Sequence, residues 1–218
     1  MDSKIITIAN QKGGCGKTTI TIQLAGALSK DKLKILVVDA DPQATATRWI
    51  SNASEEGLSL VHVIGLSATG EKVHKEVKKY VKSYDYILID CPPAVESIIP
   101  QSALTISDMV LIPVIPSPAD LWAAIGIKSL ITRVQGINDE LKALIIPNMC
   151  QNNVSLTQEV IKIIHDFDIP VSKNNLCLRT AYRQSAALGT TVHDIKGAGK
   201  AIQEITHLKN EIITVLTV

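Results

Sequence analysis

Aromatic residues are scarce, at 3% of the 218-residue chain, and phenylalanine occurs once, at Phe167. The core must therefore be built from Ile, Leu, Val and Ala, which suits strands buried on both faces of a parallel sheet. Neither sign of charge is in excess: 22 Lys and Arg stand against 21 Asp and Glu, a net charge of +1. Bulk charge thus singles out no polyanionic partner. Long apolar runs are also missing. The most apolar stretch, 109–127, is interrupted by Pro113, Pro116, Pro118 and Asp120, which excludes a membrane-spanning helix. After Met1-Asp2-Ser3-Lys4 comes an apolar run of only five residues, 5–9, too short for a signal-peptide core. The four cysteines, Cys15, Cys91, Cys150 and Cys177, form no C-x-x-C pair. That excludes a sequence-local zinc or redox motif and reads as reduced thiols in a cytoplasmic protein. With 46% hydrophobic and 20% charged residues, a disordered chain or coiled coil is excluded as well.

What is present is a regular alternation. Apolar, β-branched runs lie at 5–9, 35–38, 60–64, 86–89, 109–115 and 144–146. Helical patterns lie at 17–30, 43–52, 71–83, 96–106, 119–135 and 155–166, and a last helix at 198–216. Repetition of strand and helix on this scale predicts an α/β fold, a doubly wound, mostly parallel sheet with helices on both faces. No Gly/Ser linker, low-complexity tract or repeat divides the chain, so a single domain over 1–218 is expected.

The first predicted strand runs into Gln11-Lys12-Gly13-Gly14-Cys15-Gly16-Lys17-Thr18-Thr19, and a helical pattern starts at once. This is the strand–loop–helix setting of a phosphate-binding loop. Glycine lets the backbone wrap closely so that N–H groups point at phosphate oxygens, and the helix N-terminus favours negative charge. In the pattern G-x-x-x-x-G-K-[ST], Gly16-Lys17-Thr18 fits and Gln11 stands at the first Gly position. Lys17 is placed to reach the β- and γ-phosphates, and the Thr18 hydroxyl to ligate Mg²⁺. A second lysine, Lys12, opens the loop. Gly199-Lys200 lacks an upstream glycine and reads as a helix start or surface turn.

Carboxylates follow at strand ends. Val38-Asp39-Ala40-Asp41-Pro42-Gln43 carries two, at i and i+2, which are expected on the same side of an extended strand, facing the ligand crevice. Tyr86-Ile87-Leu88-Ile89-Asp90-Cys91-Pro92-Pro93 ends an apolar run in Asp, which places a carboxylate near the Mg²⁺ shell.

Together, the motif from Lys12 to Thr19, the Asp39-to-Gln43 segment and Asp90-Cys91-Pro92-Pro93 resemble the deviant Walker-A P-loop ATPases of the ParA/MinD group. Asp41-Pro42-Gln43, and Ile112-Pro113-Val114-Ile115-Pro116-Ser117-Pro118, are similar to ParA-type DNA partition ATPases. The resemblance implies slow Mg²⁺-dependent ATP hydrolysis and an ATP sandwich homodimer in which Lys12 reaches the partner's nucleotide. It implies that Gly13, Gly14, Cys15, Gly16, Lys17, Thr18 and Thr19 hold ATP, that Asp41 orients the attacking water, and that Thr18, Asp39 and Asp90 support Mg²⁺. Asn148 is implied beside the adenine.

Charge is unevenly distributed. From Val171 to Lys200 the cations Lys173, Arg179, Arg183, Lys196 and Lys200 face only Asp194, a local charge of +4. Such a surface on a neutral chain is a footprint for phosphate-backbone binding. Arg179 and Arg183, four apart, would share a helix face. ParA-type proteins bind DNA non-specifically through basic residues of this region, which implies Arg179, Arg183, Lys196 and Lys200 as the DNA-binding set. No helix-turn-helix segment precedes the loop, as in the short ParA type. Recognition of a partition site then falls to a separate centromere-binding, ParB-like partner, and the ATP form associates with the nucleoid. A MinD-like membrane-associated ATPase is the alternative, but residues 211–218 carry no Lys or Arg for a cationic membrane face. A small-molecule kinase of the same loop class would need an acceptor pocket and lid. The iron–sulfur relatives would need a second suitable cysteine.

Overall fold

The β-branched runs become strands because they are buried on both sides. The computed structural model describes residues 2–53, 58, 60–93, 97–151 and 168–217, with the side chains of 118–125 left aside. Its strands are β1 (Lys4–Ile8), β2 (Ile35–Asp39), β3 (Val61–Gly65), β4 (Tyr86–Asp90), β5 (Met109–Val114) and β6 (Lys142–Pro147). They form one six-stranded sheet in the order β3-β2-β4-β1-β5-β6, and every adjacent pair is parallel.

Successive strand residues point to opposite faces, so each strand feeds two cores. Ile35 and Val37 of β2, with Ile6, Ile8 and Leu88, pack under Ile20, Leu24 and Leu28 of α1 (Lys17–Ser29). The same face receives Ile205, Leu208 and Ile212 of α7 (Gly199–Thr217). Leu36 and Val38, with Ile87, Ile89, Val110 and Ile112, face the other way. They meet α3 (Val73–Val77), α4 (Ile98–Leu104) and α5 (Pro118–Gln135) through Val73, Val77, Leu104, Ile131 and Val134.

The expected fold class therefore holds, with local differences. The pattern at 43–52 becomes α2 (Thr45–Ser51), because Asp41-Pro42-Gln43-Ala44 closes a turn in which Ala44 N–H donates to Asp41 O. The pattern at 71–83 splits into a 3₁₀ segment (Ser67–Lys72), the short α3 and tight turns up to Ser83. Its apolar spacing is still satisfied, since Tyr80, Val81 and Tyr84 pack on the same core. The helix expected at 155–166 lies outside the described residues. Beyond it, parallel bridges Ile145↔Val171 and Cys150↔Cys177 lay the chain along β6, which covers that sheet edge. Then follow α6 (Thr180–Ala187) and α7, which begins at the Gly199-Lys200 helix start. No described helix is long and apolar enough to cross a membrane.

Candidate functional site

Parallel order places the C-terminal ends of β1, β4 and β2 side by side, and ligands of such sheets bind in the crevice outside those ends. Asp39 and Asp90 are register partners across β2 and β4, and Ile8 of β1 is Asp90's partner on the other side. Two carboxylates and the loop leaving β1 thus converge from segments far apart in sequence.

Gly14 (φ 77°) and Gly16 (φ 92°) take the left-handed conformation that glycine accepts without strain, and Gly16 is the N-cap of α1. A Cβ on Gly16 would collide with Asn148 Nδ2, which donates to Cys15 O at 2.7 Å. Asn148 therefore braces the loop from the end of β6. Gln11, in place of the first loop glycine, packs where a Cβ on Gly126 of α5 would overlap its amide. Cys15 is fully buried, a small side chain inside the loop whose Sγ lies 3.3 Å from Lys12 O. Lys17, only 7% exposed, donates through Nζ to Lys12 O at 3.0 Å. The loop thus folds around its own ammonium group, with Gly13 and Gly14 exposed above it.

The Thr18 hydroxyl donates to Asp90 Oδ2 at 2.6 Å. Asp90 Oδ1 is buried and has no hydrogen-bond partner. Burial, with Asp39 and Asp41 nearby, pushes the Asp90 carboxyl up to about 7 against the opposing pull of Thr18 and Lys17. A buried carboxylate oxygen without a partner, beside a hydroxyl oxygen, is the kind of oxygen donor set a hard divalent cation takes. Thr18 and Asp90 fit Mg²⁺.

Asp39 differs. Its Oδ2 accepts from both the Thr47 N–H and the Thr47 hydroxyl at 2.8 Å, and its Oδ1 from the Asp41 N–H at 3.2 Å. The expectation that Asp39 and Asp41 share one extended strand is corrected here. β2 ends at Asp39, and Asp41 lies in the following turn, where its Oδ1 accepts from Gln43 N–H at 2.8 Å. Asp39 pins this turn to α2 and so orients Asp41, with its own oxygens already engaged.

Near Thr19 and Asn148 opens a cavity of about 150 Å³, lined also by Met149, Cys177, Arg179, Tyr182 and Arg183. It lies beside the loop on the side where Asn148 was expected to meet the base. Its wall changes the reading of the basic segment. Arg179 is the extended N-cap of α6 and does not share a helical face with Arg183. Its guanidinium forks onto Glu204 Oε1 through Nε and Nη2. Tyr182 OH and Cys177 N–H also donate to Glu204, through Oε2. Arg183, Lys196 and Lys200 remain exposed, while Lys30 pairs with Asp194.

Sequence reasoning missed Thr47, Glu204 and the bracing of Gln11 by Gly126. Only Glu204 left a signal, a carboxylate beside the buried α7 stripe Ala201, Ile205, Leu208 and Ile212.

Sheet order, loop and strand-end carboxylates define a P-loop nucleotide-binding α/β protein. The profile of the CobQ/CobB/MinD/ParA nucleotide binding domain matches residues 6–192, and the chain belongs to that family. It is 31% identical over 209 residues to the maintenance of carboxysome distribution protein A of Halothiobacillus neapolitanus, covering 95% of each chain. It is also 31% identical over 185 residues to the chromosome-partitioning ATPase Soj of Thermus thermophilus, covering 71% of this chain and 73% of Soj. Among solved structures, the cell division ATPase MinD of Pyrococcus furiosus superposes with a TM-score of 0.80 at 21% identity, covering 98% of this chain and 99% of MinD. The ATP complex of a Cyanothece McdA superposes at 0.81 and 19% identity, covering 98% and 97%. At these identities the two structures speak for the fold alone.

Proposed function

We propose that this chain is a ParA-type positioning ATPase that binds ATP with Mg²⁺, dimerises around it, holds DNA non-specifically in that state and is reset by hydrolysis. The observation that carries the reading is the Lys12–Thr19 loop, folded beside Asp90 and the Asp41 turn at the ends of β1, β4 and β2.

The loop N–H groups and Lys17 receive the phosphates, Lys17 exchanging its present partner, Lys12 O, for phosphate oxygen. Thr18 and Asp90 hold the metal, which neutralises charge on the β- and γ-phosphates. Asp41, held in its turn by Asp39 and Thr47, orients the attacking water. Lys12 has no task in a monomeric phosphate loop and supplies the contact to the partner's nucleotide. The cavity beside Asn148 and Thr19 takes the base. Exposed Arg183, Lys196 and Lys200 serve the DNA backbone, and a separate ParB-like partner stimulates hydrolysis.

The cargo has two readings. Partition of DNA is favoured by the ParA resemblance and the Soj match. A protein compartment is favoured by the 31% match over 95% of both chains to a carboxysome distribution protein. Membrane attachment of the MinD kind draws less support, because α7 buries Ile212 and Leu216 in the core instead of presenting them to lipid.

A DNA-binding titration with ADP and with a non-hydrolysable ATP analogue, on two unrelated sequences, tests the reading. Binding to both sequences with the analogue alone is expected. Binding that ignores the nucleotide, or goes to anionic vesicles and not to DNA, overturns it.

A further inference from the structure

A second cationic surface lies outside the segment to which DNA binding was assigned. Between Glu71 and Ser83 the chain carries Lys72, Lys75, Lys78, Lys79 and Lys82 against Glu71 and Glu76, a local charge of +3 in thirteen positions. All five lysines are exposed. The opposite side of the same segment is anchored: Val73 and Val77 are fully buried, and Tyr80, Val81 and Tyr84 pack on the core. His74 N–H donates to Ser102 Oγ of α4 at 3.1 Å, which fixes α3 against its neighbour.

We propose that this lysine strip is a second docking surface of the protein, and that its partner is the phosphate backbone of duplex DNA.

Three observations favour that partner. First, the charges are available. Lys79 pairs with Glu76, but Lys72, Lys75, Lys78 and Lys82 have no hydrogen-bond or ion-pair partner among the described residues. By contrast Arg179, in the first basic segment, is spent on Glu204. Second, the strip is held on one side, by buried Val73 and Val77 and by the His74 contact to α4. Ten steps of helix and tight turn span on the order of 15–20 Å. Duplex DNA carries about one negative charge per 1.7 Å of axis, so about ten phosphate charges lie within that reach. Third, the strip lacks what other polyanionic partners need. The exposed large apolar residues among those described are Ile98, Ile137, Leu178 and Leu188, and none lies in 71–83. A membrane-binding helix inserts apolar side chains, and here those side chains are in the core. Protein interfaces are depleted in lysine and centred on apolar anchors. A row of lysines without an anchor suits a partner that is read by charge alone.

The strip rests on the reading that the chain binds DNA, but it moves or extends the contact surface. The two can be separated with the full chain and three proteins: wild type, Lys75→Gln/Lys78→Gln/Lys82→Gln, and Lys196→Gln/Lys200→Gln, which leaves the cavity residue Arg183 in place. DNA affinity is measured with a non-hydrolysable ATP analogue from 50 to 200 mM salt. ATP-analogue affinity and urea unfolding check that each variant is folded; the substituted side chains are exposed, so no change is expected. The strip variant is expected to bind about tenfold or more weakly at 0.1 M salt, with the log–log salt slope shallower by about 0.9 per lost contact. Unchanged affinity and slope in the strip variant, while the other variant loses both, overturns the strip and leaves the DNA reading standing. No DNA binding by wild type overturns both. Vesicles of phosphatidylserine and phosphatidylcholine are the second probe: wild-type binding that the strip variant loses, without any change in DNA binding, reassigns the strip to membrane and overturns the proposal.

Discussion

The Thr18 hydroxyl donates to Asp90 Oδ2 at 2.6 Å, joining the first turn of α1 to the last residue of β4 across 72 positions of sequence. The contact holds one carboxylate oxygen and leaves the other, Oδ1, buried without a hydrogen bond. Burial and the neighbouring carboxylates then keep a proton on Asp90 to about pH 7.

This gives the nucleotide-free protein a pH signature. Asp90 normally titrates near 3.8 and is raised to about 7 in the fold. Between those values the unfolded chain has released the proton and the folded chain has kept it, so stability falls as pH rises through this window. The full contribution is present below about pH 4, and no further loss occurs above the folded pKa. Asp90→Asn removes the titration. Relative to wild type it is expected to gain stability from pH 4 to 7, by at most about 1.4 kcal/mol per unit. Urea unfolding at several pH values measures this; a constant offset would contradict it.

Lys17→Ala is expected to weaken nucleotide binding by about tenfold to a hundredfold, the worth of a charge-assisted hydrogen bond to phosphate. The fold should persist, because Lys17 Nζ bonds only a loop carbonyl. Calorimetric titration with ATP and Mg²⁺ checks it, and equal affinity in both proteins would remove the loop as the site.

Gly16→Ala forces a left-handed φ on an L-residue and drives its Cβ into Asn148. A loss of about 1–3 kcal/mol is expected from the backbone alone. Adding Asn148→Ala relieves the collision but not the backbone strain, so the double variant should be more stable than the sum of the singles. A double-mutant cycle by denaturation reads the coupling.

Dimerisation should depend on ATP and on Lys12. Asp41→Ala should bind ATP and accumulate dimer, since the hydrolysis that resets the monomer is lost. Light scattering with ADP and with a non-hydrolysable analogue measures it. One mass in both states, or an unchanged dimer in Lys12→Ala, counts against the sandwich arrangement.

The two arginines of the first basic segment should now behave differently. Arg179→Ala takes both guanidinium bonds away from Glu204, which is 14% exposed, and should cost about 1–3 kcal/mol of stability. Its effect on the DNA salt slope should be small. Arg183→Ala should leave stability unchanged and make the slope shallower by about 0.9 per contact. Equal slopes for both variants would mean that Arg179 leaves Glu204 when DNA binds.

The sequence by itself determined the six strands, most of the described helices and the position of the loop. Short runs of Ile and Val between turn residues read as buried strands, and glycines before a helix start leave little choice of local geometry. Lys17, Thr18, Asp39 and Asp90 were legible because each stands next to the element it terminates or begins. The tertiary structure decided what no local pattern encodes. Strand order brings Asp90 beside Asp39, Asn148 reaches Cys15 from 133 residues away, and Glu204 on α7 takes Arg179 out of the basic surface. It also decided that Asp39 is engaged by Thr47, and that the unpaired lysines stand on the solvent side of the 72–82 segment. The reason is physical. Propensity and periodicity act over a few residues, whereas the charge a side chain presents depends on which distant groups the packed core carries to it.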